Sequence, residues 1–193
     1  MIIIILSCSV VMMCLVIIKN ATRVKEDPEQ EREMQIVTRA VDLIRRDGVN
    51  LNRRTLEQVV SAIYRVSRKN GIDYRIVLAL AKVESNFRNE AVSPKGARGL
   101  LQIKPSVAEK VAKDLGIDLR NRRALHECEK NVEIGTYILS NLIEKYYDIH
   151  AALSGYNMGQ DKLLELSGND RSTTFSRAVL REYKKYIEIL PDP

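Results

Sequence analysis

Aromatic residues are scarce in this chain of 193 residues, which has no tryptophan, two phenylalanines and eight tyrosines. Proteins that bind single-stranded nucleic acid stack bases on aromatic rings set among basic residues, and that interleaving is missing here. The formal charge of +6 therefore points to another anionic partner, either a membrane surface or an anionic polymer, and nucleic acid is not predicted. A content of 45% hydrophobic and 29% charged residues excludes a disordered chain and predicts one globular domain.

Cysteine and histidine are also scarce, with three and two residues, and their positions exclude several kinds of chemistry. Cys8 and Cys14 lie in the apolar N-terminus, so Cys128 has no disulfide partner within the globular part. No Cys-His-Asn signature surrounds Cys128, which we interpret as a small buried side chain rather than a nucleophile. His126 and His150 have no partners at metal-ligand spacing, and no phosphate-binding glycine loop occurs. The sequence predicts no metal and no cofactor.

A single long hydrophobic run occupies residues 1–18, which contain no charged side chain. Its length suffices for a short membrane-spanning helix, which needs about 17 to 25 residues, and no A-x-A-like cleavage site follows. We therefore predict a retained transmembrane or signal anchor, with a cleaved signal peptide as the alternative. The positive-inside rule opposes export, because the run is followed by Lys19, Arg23 and Lys25. A linker with an amphipathic helix is expected at 19–50 and the globular domain at 51–193.

Apolar residues recur at helical spacing along the chain after residue 27, whereas strand-like alternation is almost absent. The exception is a short stretch at residues 100–103. The sequence therefore predicts a mainly α fold with a minimal β element. Helices are expected at residues 28–47, 52–69, 74–84, 106–115, 131–147, 150–157 and 176–189. In the first helix, the stripe facing the domain should consist of Met34, Val37, Val41 and Ile44.

Polar residues mark where several of these helices begin. Asp27 precedes Pro28, and a cap followed by proline is typical of a helix N-terminus. Thr55 and Gln58 have the spacing of a capping box in the first turns of the second helix. Asp73 is expected to cap the third helix, which ends in a loop rich in turn residues.

Glu84 stands out on the third helix, because it follows Ile76 and Leu80 at i, i+4, i+8 spacing on the stripe that should face the core. Burial and the nearby helix C-terminus both disfavour an anion there and should raise the pKa of Glu84. A general acid near neutral pH needs such a raised pKa. The alternative is that Glu84 turns into solvent or pairs with Lys82 or Arg88.

Four ordered blocks carry a resemblance that bears on Glu84. They are Glu-Ser-Asn-Phe at 84–87, Gly-Leu-Leu-Gln-Ile at 99–103, the Asn131, Gly135, Tyr137 and Ile138 pattern, and the segment 152–159 containing Tyr156 and Asn157. In this order they resemble the soluble lytic transglycosylase family, a relative of goose-type lysozyme. The resemblance covers residues 72–159, about half of the chain.

The resemblance implies a lysozyme-like helical domain whose groove binds alternating N-acetylmuramic acid and N-acetylglucosamine. Carried onto the matching positions, it makes Glu84 the acid and base, lets Ser93 and Gln102 line the sugar site, and sets Tyr156 and Asn157 beside the carboxyl and the sugar. Each partner also has a purely structural interpretation. Ser93 would then be a turn residue, Gln102 a strand-edge amide and Tyr156 a core ring.

Several positions depart from the family pattern. Asn89 stands where proline is frequent, Lys104 follows the Gln-Ile pair where methionine is frequent, and Gly155 replaces the usual alanine before the tyrosine. Thr173 and Thr174 match the family's Glu-Thr pair only loosely. These departures fall where the resemblance places the sugar subsites.

The reaction implied by the resemblance is cleavage of the MurNAc-β-1,4-GlcNAc bond of peptidoglycan without water, which leaves 1,6-anhydroMurNAc ends. One alternative is a lysozyme-type hydrolase, in which Glu90 or Glu133 positions water as a second carboxylate. Another is an inactive, membrane-tethered wall-binding protein. The expected location is the bacterial inner membrane, with the domain facing the periplasm or the cell exterior. The expected partners are peptidoglycan glycan strands and the membrane, and an envelope-spanning machine is compatible with this location.

Overall fold

A computed structural model describes residues 27–166 and 171–193 of the chain. The chain divides into two compact units, Met1–Gln35 and Ile36–Pro193, and the described part of the first is the beginning of helix α1. The predicted anchor at residues 1–18 lies outside the described residues. Within the described ranges, no helix is long and apolar enough to cross a membrane.

The prediction of a mainly helical fold is confirmed. The described ranges form eight α-helices and one 3-10 helix, which are α1 Pro28–Arg46, α2 Arg53–Lys69, α3 Tyr74–Ser85, α4 Pro105–Leu115, the 3-10 helix Arg122–His126, α5 Cys128–Tyr146, α6 Ile149–Met158, α7 Gln160–Leu164 and α8 Thr174–Ile189. The 3-10 helix and α7 were not predicted, because five residues are too few to show a helical period.

The minimal β element consists of two isolated antiparallel bridges, Val92 with Arg98 and Arg98 with Ile103. The prediction of a strand at residues 100–103 is wrong, since a turn precedes Ile103. Leu100 and Leu101 are both fully buried, although neighbouring residues of a strand point to opposite faces. Gln102 has a φ of 47°, which reverses the chain after these two leucines.

Side-chain caps start several of the helices, with one difference from prediction. Asp27 accepts a hydrogen bond from Glu29 N, and Asp73 accepts one from Arg75 N, as expected. The capping box proposed for Thr55 and Gln58 is wrong, because α2 begins two residues earlier. Its N-cap is Asn52, whose Oδ1 accepts a hydrogen bond from Thr55 N at 2.8 Å.

The buried face of α1 also differs from the predicted stripe. Val41 and Ile44 are fully buried as predicted, but they are accompanied by Ile36 and Ala40. Met34 was assigned to this face and is instead 66% exposed. Val37 is partly buried against the core, so periodicity identified the helix but began its buried face at Met34, two residues before Ile36.

Helix α3 is buried along most of its length, which is typical of a helix at the centre of a domain. Every residue from Tyr74 to Ala81 is buried, and α3 packs against α2 and α8. Its last turn approaches the surface, where Lys82, Val83 and Glu84 are partly buried. Helix α3 therefore carries Glu84 where the helix passes from the core to the surface.

A polar cluster secures the other end of α3. The Arg75 guanidinium contacts Asp73 at 2.8 Å and Asp192 at 2.9 Å, and the Tyr183 hydroxyl donates to Asp73 at 2.9 Å. Tyr74 donates to the carbonyl oxygen of Pro191 at 2.7 Å. Burial acts to raise the pKa of Asp73, but the hydrogen bonds from Arg75 and Tyr183 outweigh it and lower that pKa. The cluster ties the start of α3 to the residues that follow α8.

Replacing Arg75 with methionine is expected to lower the free energy of unfolding by about 3 kcal/mol at pH 7, because the Asp73 charge loses its partner. The lowered pKa of Asp73 contributes stability above its unfolded value, and this is lost as the pH falls through the folded value. The difference between wild type and variant in urea denaturation should therefore shrink in acid. Asp192→Asn is the control. The Asp192 side chain is 93% exposed, so the control should cost less than about 1 kcal/mol. Equal losses in both variants would contradict this account.

Candidate active site

The chain segment after Glu84 fixes where α3 ends. Asn86 and Phe87 both have left-handed backbones, with φ of 52° and 63°. Two such residues in succession are unfavourable without glycine, so tertiary contacts must hold them. The Phe87 ring is fully buried, Phe87 N donates to Ala81 O at 3.3 Å, and Lys82 Nζ donates to Asn86 Oδ1 at 2.8 Å. The helix therefore ends one residue after Glu84.

The Glu84 carboxyl is partly buried and has no hydrogen bond or ion pair in the part of the chain that the structure describes. The two alternative partners considered for it are engaged elsewhere, since Lys82 contacts Asn86 and Arg88 Nε donates to the Ser85 carbonyl oxygen at 3.0 Å. Burial raises the pKa of Glu84 to about 8. The carboxyl is therefore protonated at neutral pH and able to act as a general acid.

Tyr156 lies on α6 near this carboxyl. Burial raises the pKa of Tyr156 well above its ordinary value, and the negative charge of Glu84 adds to this effect. The hydroxyl donates to the Leu101 carbonyl oxygen at 2.9 Å. Gly135 on α5 provides the space, because a Cβ atom there would lie 2.9 Å from the Tyr156 hydroxyl and 2.6 Å from Leu101 Cδ1.

Gln102 follows Leu101 in the turn, and its amide group has a fixed orientation. Nε2 donates to the carbonyl oxygens of Gly99 at 2.8 Å and Ala91 at 3.1 Å. Because both amide protons are used, the amide oxygen remains as an acceptor. Gln102 thus joins the turn to the segment after α3 and keeps one polar atom for a ligand.

Asn131 on α5 holds the same turn through hydrogen bonds to its backbone. It is fully buried, its Oδ1 accepts from Leu101 N at 2.8 Å, and its Nδ2 donates to the carbonyl oxygens of Leu125 at 2.8 Å and Arg98 at 3.0 Å. Asn131 belongs to one of the sequence motifs but had no predicted role. The available signal was an amide at helical spacing from Ile134 and Ile138 on the buried side of α5, because a buried amide must find hydrogen-bond partners.

Ser93 and Asn157 are less closely tied to this group. Ser93 Oγ accepts from Ala97 N at 3.0 Å, and its carbonyl oxygen accepts from Gly96 N at 2.9 Å, as in a turn. Asn157 is exposed next to Tyr156 at the end of α6. The structure thus places Tyr156 near Glu84 and joins it to Leu101, the residue before Gln102, whereas the side chains of Ser93 and Asn157 make no described contact with these residues.

The residues proposed as a second carboxylate have other partners. Glu133 contacts Lys69 Nζ at 2.5 Å, and Glu90 is 85% exposed with an oxygen 3.6 Å from His126 Nδ1. No nearby charge contributes to the raised pKa of Glu84.

Burial also raises the pKa of Cys128 to about 11, so its thiol is protonated at neutral pH. No cluster of metal-binding side chains occurs among residues 27–166 and 171–193.

The sequence profile described as the transglycosylase SLT domain matches residues 61–178, which is more than half of the chain. The chain therefore belongs to the transglycosylase SLT domain family, and its helical fold is the lysozyme-like fold of that family. Relatives in sequence are named membrane-bound lytic murein transglycosylase C. The Haemophilus ducreyi protein is 30% identical over 60% of this chain and 34% of its own length, and the Shigella sonnei protein is 31% identical over 56% and 33%. The chain spans about a third of the length of these curated relatives.

Solved structures agree in fold. The 70-kDa soluble lytic transglycosylase of Escherichia coli superimposes with a TM-score of 0.61 at 20% identity, covering 81% of this chain and 30% of that one. An inactive mutant of the lytic transglycosylase Slt from Pseudomonas aeruginosa gives 0.58 at 19% identity, covering 68% and 24%. At these identities the likeness shows the fold alone.

Replacing Tyr156 with phenylalanine is expected to reduce turnover mildly and to lower stability by about 1 kcal/mol, because the bond to the buried Leu101 carbonyl is lost. Wall-clearing rates and urea denaturation measure the two effects. Tyr147→Phe removes the same hydroxyl from a residue that is 91% exposed, and neither rate nor stability should change. Wild-type clearing by Tyr156→Phe would show that the hydroxyl does not matter to the site.

Proposed function

We propose that this chain is a peptidoglycan lytic transglycosylase that cleaves the MurNAc-β-1,4-GlcNAc bond without water. The observation that carries this proposal is the Glu84 carboxyl, which is partly buried, has no described charged partner and has its pKa raised to about 8. A single carboxyl that is protonated at neutral pH and lies near Tyr156 supports acid catalysis on a neutral sugar bond. Membership of the family gives the substrate class.

Glu84 performs two proton transfers in this proposal. It first protonates the oxygen between muramic acid and glucosamine, and the bond from that oxygen to the muramic C1 breaks. The acetamido group of the substrate stabilises the positive charge that develops at C1. The Glu84 carboxylate then removes the proton of the muramic C6 hydroxyl, whose oxygen bonds to C1. The product is a 1,6-anhydro ring, and Glu84 recovers its proton.

The other site residues support these steps through contacts already given. The Gln102 amide oxygen accepts a hydrogen bond from the sugar, since both amide protons are held by backbone carbonyls. Tyr156 keeps the Leu101 backbone in place beside the carboxyl. Ser93 and the exposed Asn157 are proposed to line the ends of the groove. No carboxylate is described in a position to activate water, so nothing in the site favours the hydrolase.

Mass analysis of the products released from purified sacculi tests the proposal. Wild-type protein should release muropeptides with anhydro-muramic ends, each lighter by one water than the product of a hydrolase. Reducing muramic ends would instead assign a lysozyme-type hydrolase. Binding to sacculi without any soluble product would assign a wall-binding protein. Both results would contradict the transglycosylase.

We also propose that the domain acts on the outer side of the bacterial inner membrane, anchored through residues 1–18. Peptidoglycan lies there, and relatives carry the words membrane-bound in their names. Cell fractionation with amino-terminal sequencing tests the anchor, and a protease-accessibility assay tests the side of the membrane. A soluble form that begins after residue 20 would contradict the anchor, and a cytoplasmic domain would contradict the function as well.

A further inference from the structure

A histidine that the proposed proton transfers do not use holds the segment between α3 and the Gln102 turn. His126 ends the 3-10 helix, and 14% of its side chain is exposed. Its Nδ1 atom lies 2.8 Å from the Asn89 carbonyl oxygen, and its Nε2 atom lies 3.3 Å from a terminal guanidinium nitrogen of Arg98. The ring therefore joins the segment after α3 to the segment before the turn.

These two neighbours determine the tautomer of the neutral ring. A guanidinium has only N–H donors, so Nε2 must accept the hydrogen bond from Arg98 and carries no proton. The proton of the neutral ring is then on Nδ1, which donates it to the Asn89 carbonyl oxygen. An imidazolium would keep the bond to Asn89 but would present a second donor to Arg98.

Two charged groups on neighbouring segments face the ring. Among the described residues, His126 is the only hydrogen-bond acceptor of the Arg98 guanidinium, whose Nε atom is buried without a partner. The Glu90 carboxylate is 3.6 Å from Nδ1 but 85% exposed, so solvent screens its attraction. Of these two charged groups, only Arg98 is hydrogen-bonded to the ring. Further charged residues on the 3-10 helix and at the start of α5 are Arg122, Arg123, Glu127, Glu129 and Lys130.

The segment that His126 holds is also the segment that orients Gln102. The carbonyl oxygen of Ala91, two residues after Asn89, accepts hydrogen bonds from Gln102 Nε2 and from Gly99 N at 2.9 Å. A shift of this segment therefore changes the direction of the Gln102 amide. His126 does not contact the proposed substrate position in any described way and would act through these bonds.

We infer that neutral His126 is a positioning residue, which holds Asn89 and Arg98 so that Gln102 is oriented for the glycan, and that protonation of the ring at Nε2 releases this arrangement. The inference rests on the proposed function, and it predicts in addition that substrate binding weakens in acid. Glu84 cannot cause that loss, because its carboxyl is protonated throughout the acid range. Histidine is the side chain that ordinarily changes its charge between about pH 5 and 8.

Two variants that cannot titrate test this inference. His126→Asn retains a donor at the place of Nδ1, and His126→Gln retains an acceptor at the place of Nε2. With soluble glycan strands, the wild-type kcat/KM should fall about tenfold from pH 7 to pH 5, mainly through a higher KM. Both variants should lose this dependence while melting as cooperative, folded proteins at both pH values. The same fall in the variants, or no fall in the wild type, would overturn the inference.

His150→Gln is the matched control, since His150 lies on α6 and contacts the hydroxyls of Ser172 at 3.2 Å and Ser176 at 3.3 Å. It should retain the wild-type fall in acid. A second readout does not depend on turnover. In a Glu84→Gln background, the affinity for labelled glycan strands should also fall from pH 7 to pH 5, and adding His126→Asn should remove that fall. Failure of the proposed reaction would appear as absent anhydro products, whereas failure of this inference would appear as an unchanged pH dependence of binding.

Discussion

Replacing Glu84 with glutamine is expected to lower the rate of wall clearing by roughly 10² to 10⁴, because the amide can neither donate the acid proton nor accept the C6 proton. The variant should still fold, since a neutral amide of the same size fits a site where burial already disfavours the charged carboxylate. Clearing of purified sacculi measures the rate, and circular dichroism with thermal melting verifies the fold.

Glu90→Gln is the control for this substitution, because Glu90 is an exposed carboxylate on the next segment and undergoes the same chemical change. It should retain most of the clearing activity at pH 7. Strong clearing by folded Glu84→Gln would refute the assignment of the acid. Loss of clearing in Glu90→Gln would instead support the alternative of a hydrolase with two carboxylates.

The raised pKa of Glu84 also sets a pH dependence. Because the acid form is required, clearing should decline as the pH rises through about 8. The folded pKa of Glu84 lies above the ordinary value. The favourable contribution of the neutral carboxyl to stability is therefore fully present below the ordinary value and is lost as the pH rises through the folded pKa of about 8. Relative to wild type, Glu84→Gln should therefore gain more stability at pH 9 than at pH 5, as urea denaturation would show.

The substitution Gly99→Ala is expected to destabilise the protein by about 3 to 5 kcal/mol and to abolish activity. Gly99 has a φ of 80°, and a Cβ atom there would lie 2.1 Å from the Leu125 carbonyl oxygen and 2.2 Å from Asn131 Nδ2. The first contact is with backbone, which cannot move aside as a side-chain tip can. The turn must therefore shift, taking Gln102 and Leu101 with it. Urea denaturation and sacculus clearing measure both effects.

Gly96→Ala separates the clash from the backbone strain. Gly96 has nearly the same φ of 79°, but a Cβ atom there would meet nothing within 4 Å. Only the left-handed conformation is penalised, at about 1 to 2 kcal/mol, and activity should persist. If the two alanine variants lost the same stability, the close approach of Gly99 to Asn131 and Leu125 would not limit the turn.

The extent to which the sequence predicted this structure depends on the range of the interactions involved. Helix periods and caps such as Asp73 are local, so most helices were placed within a few residues. The strand expected at 100–103 failed because its two leucines are buried together by long-range packing and not by alternation. Met34 failed for the same reason, since a period alone does not fix where a helix meets the domain.

The candidate site was predicted only in part. A carboxyl on an apolar stripe indicated that Glu84 is buried, and the four blocks indicated that Gln102 and Tyr156 belong with it. The hydrogen bond from Tyr156 to the Leu101 carbonyl oxygen could not be predicted, because no residue pattern specifies a backbone acceptor 55 positions away. The role of Asn131 could not be predicted for the same reason, since its partners are also backbone atoms at distant positions. The catalytic and binding roles of these residues remain proposals.

The hydrogen bonds of Asn131 also govern the order in which the domain assembles. Its amide contacts the backbone at Leu101 and Arg98, which lie 30 and 33 positions earlier in the chain. The turn has local bonds between Arg98 and Ile103, but its attachment to α5 joins distant positions, and such contacts are expected to form after the local helices. A partly folded chain would carry Glu84 on a finished α3 without the amide of Gln102 opposite. In rising denaturant, ligand binding should therefore disappear before helical content does.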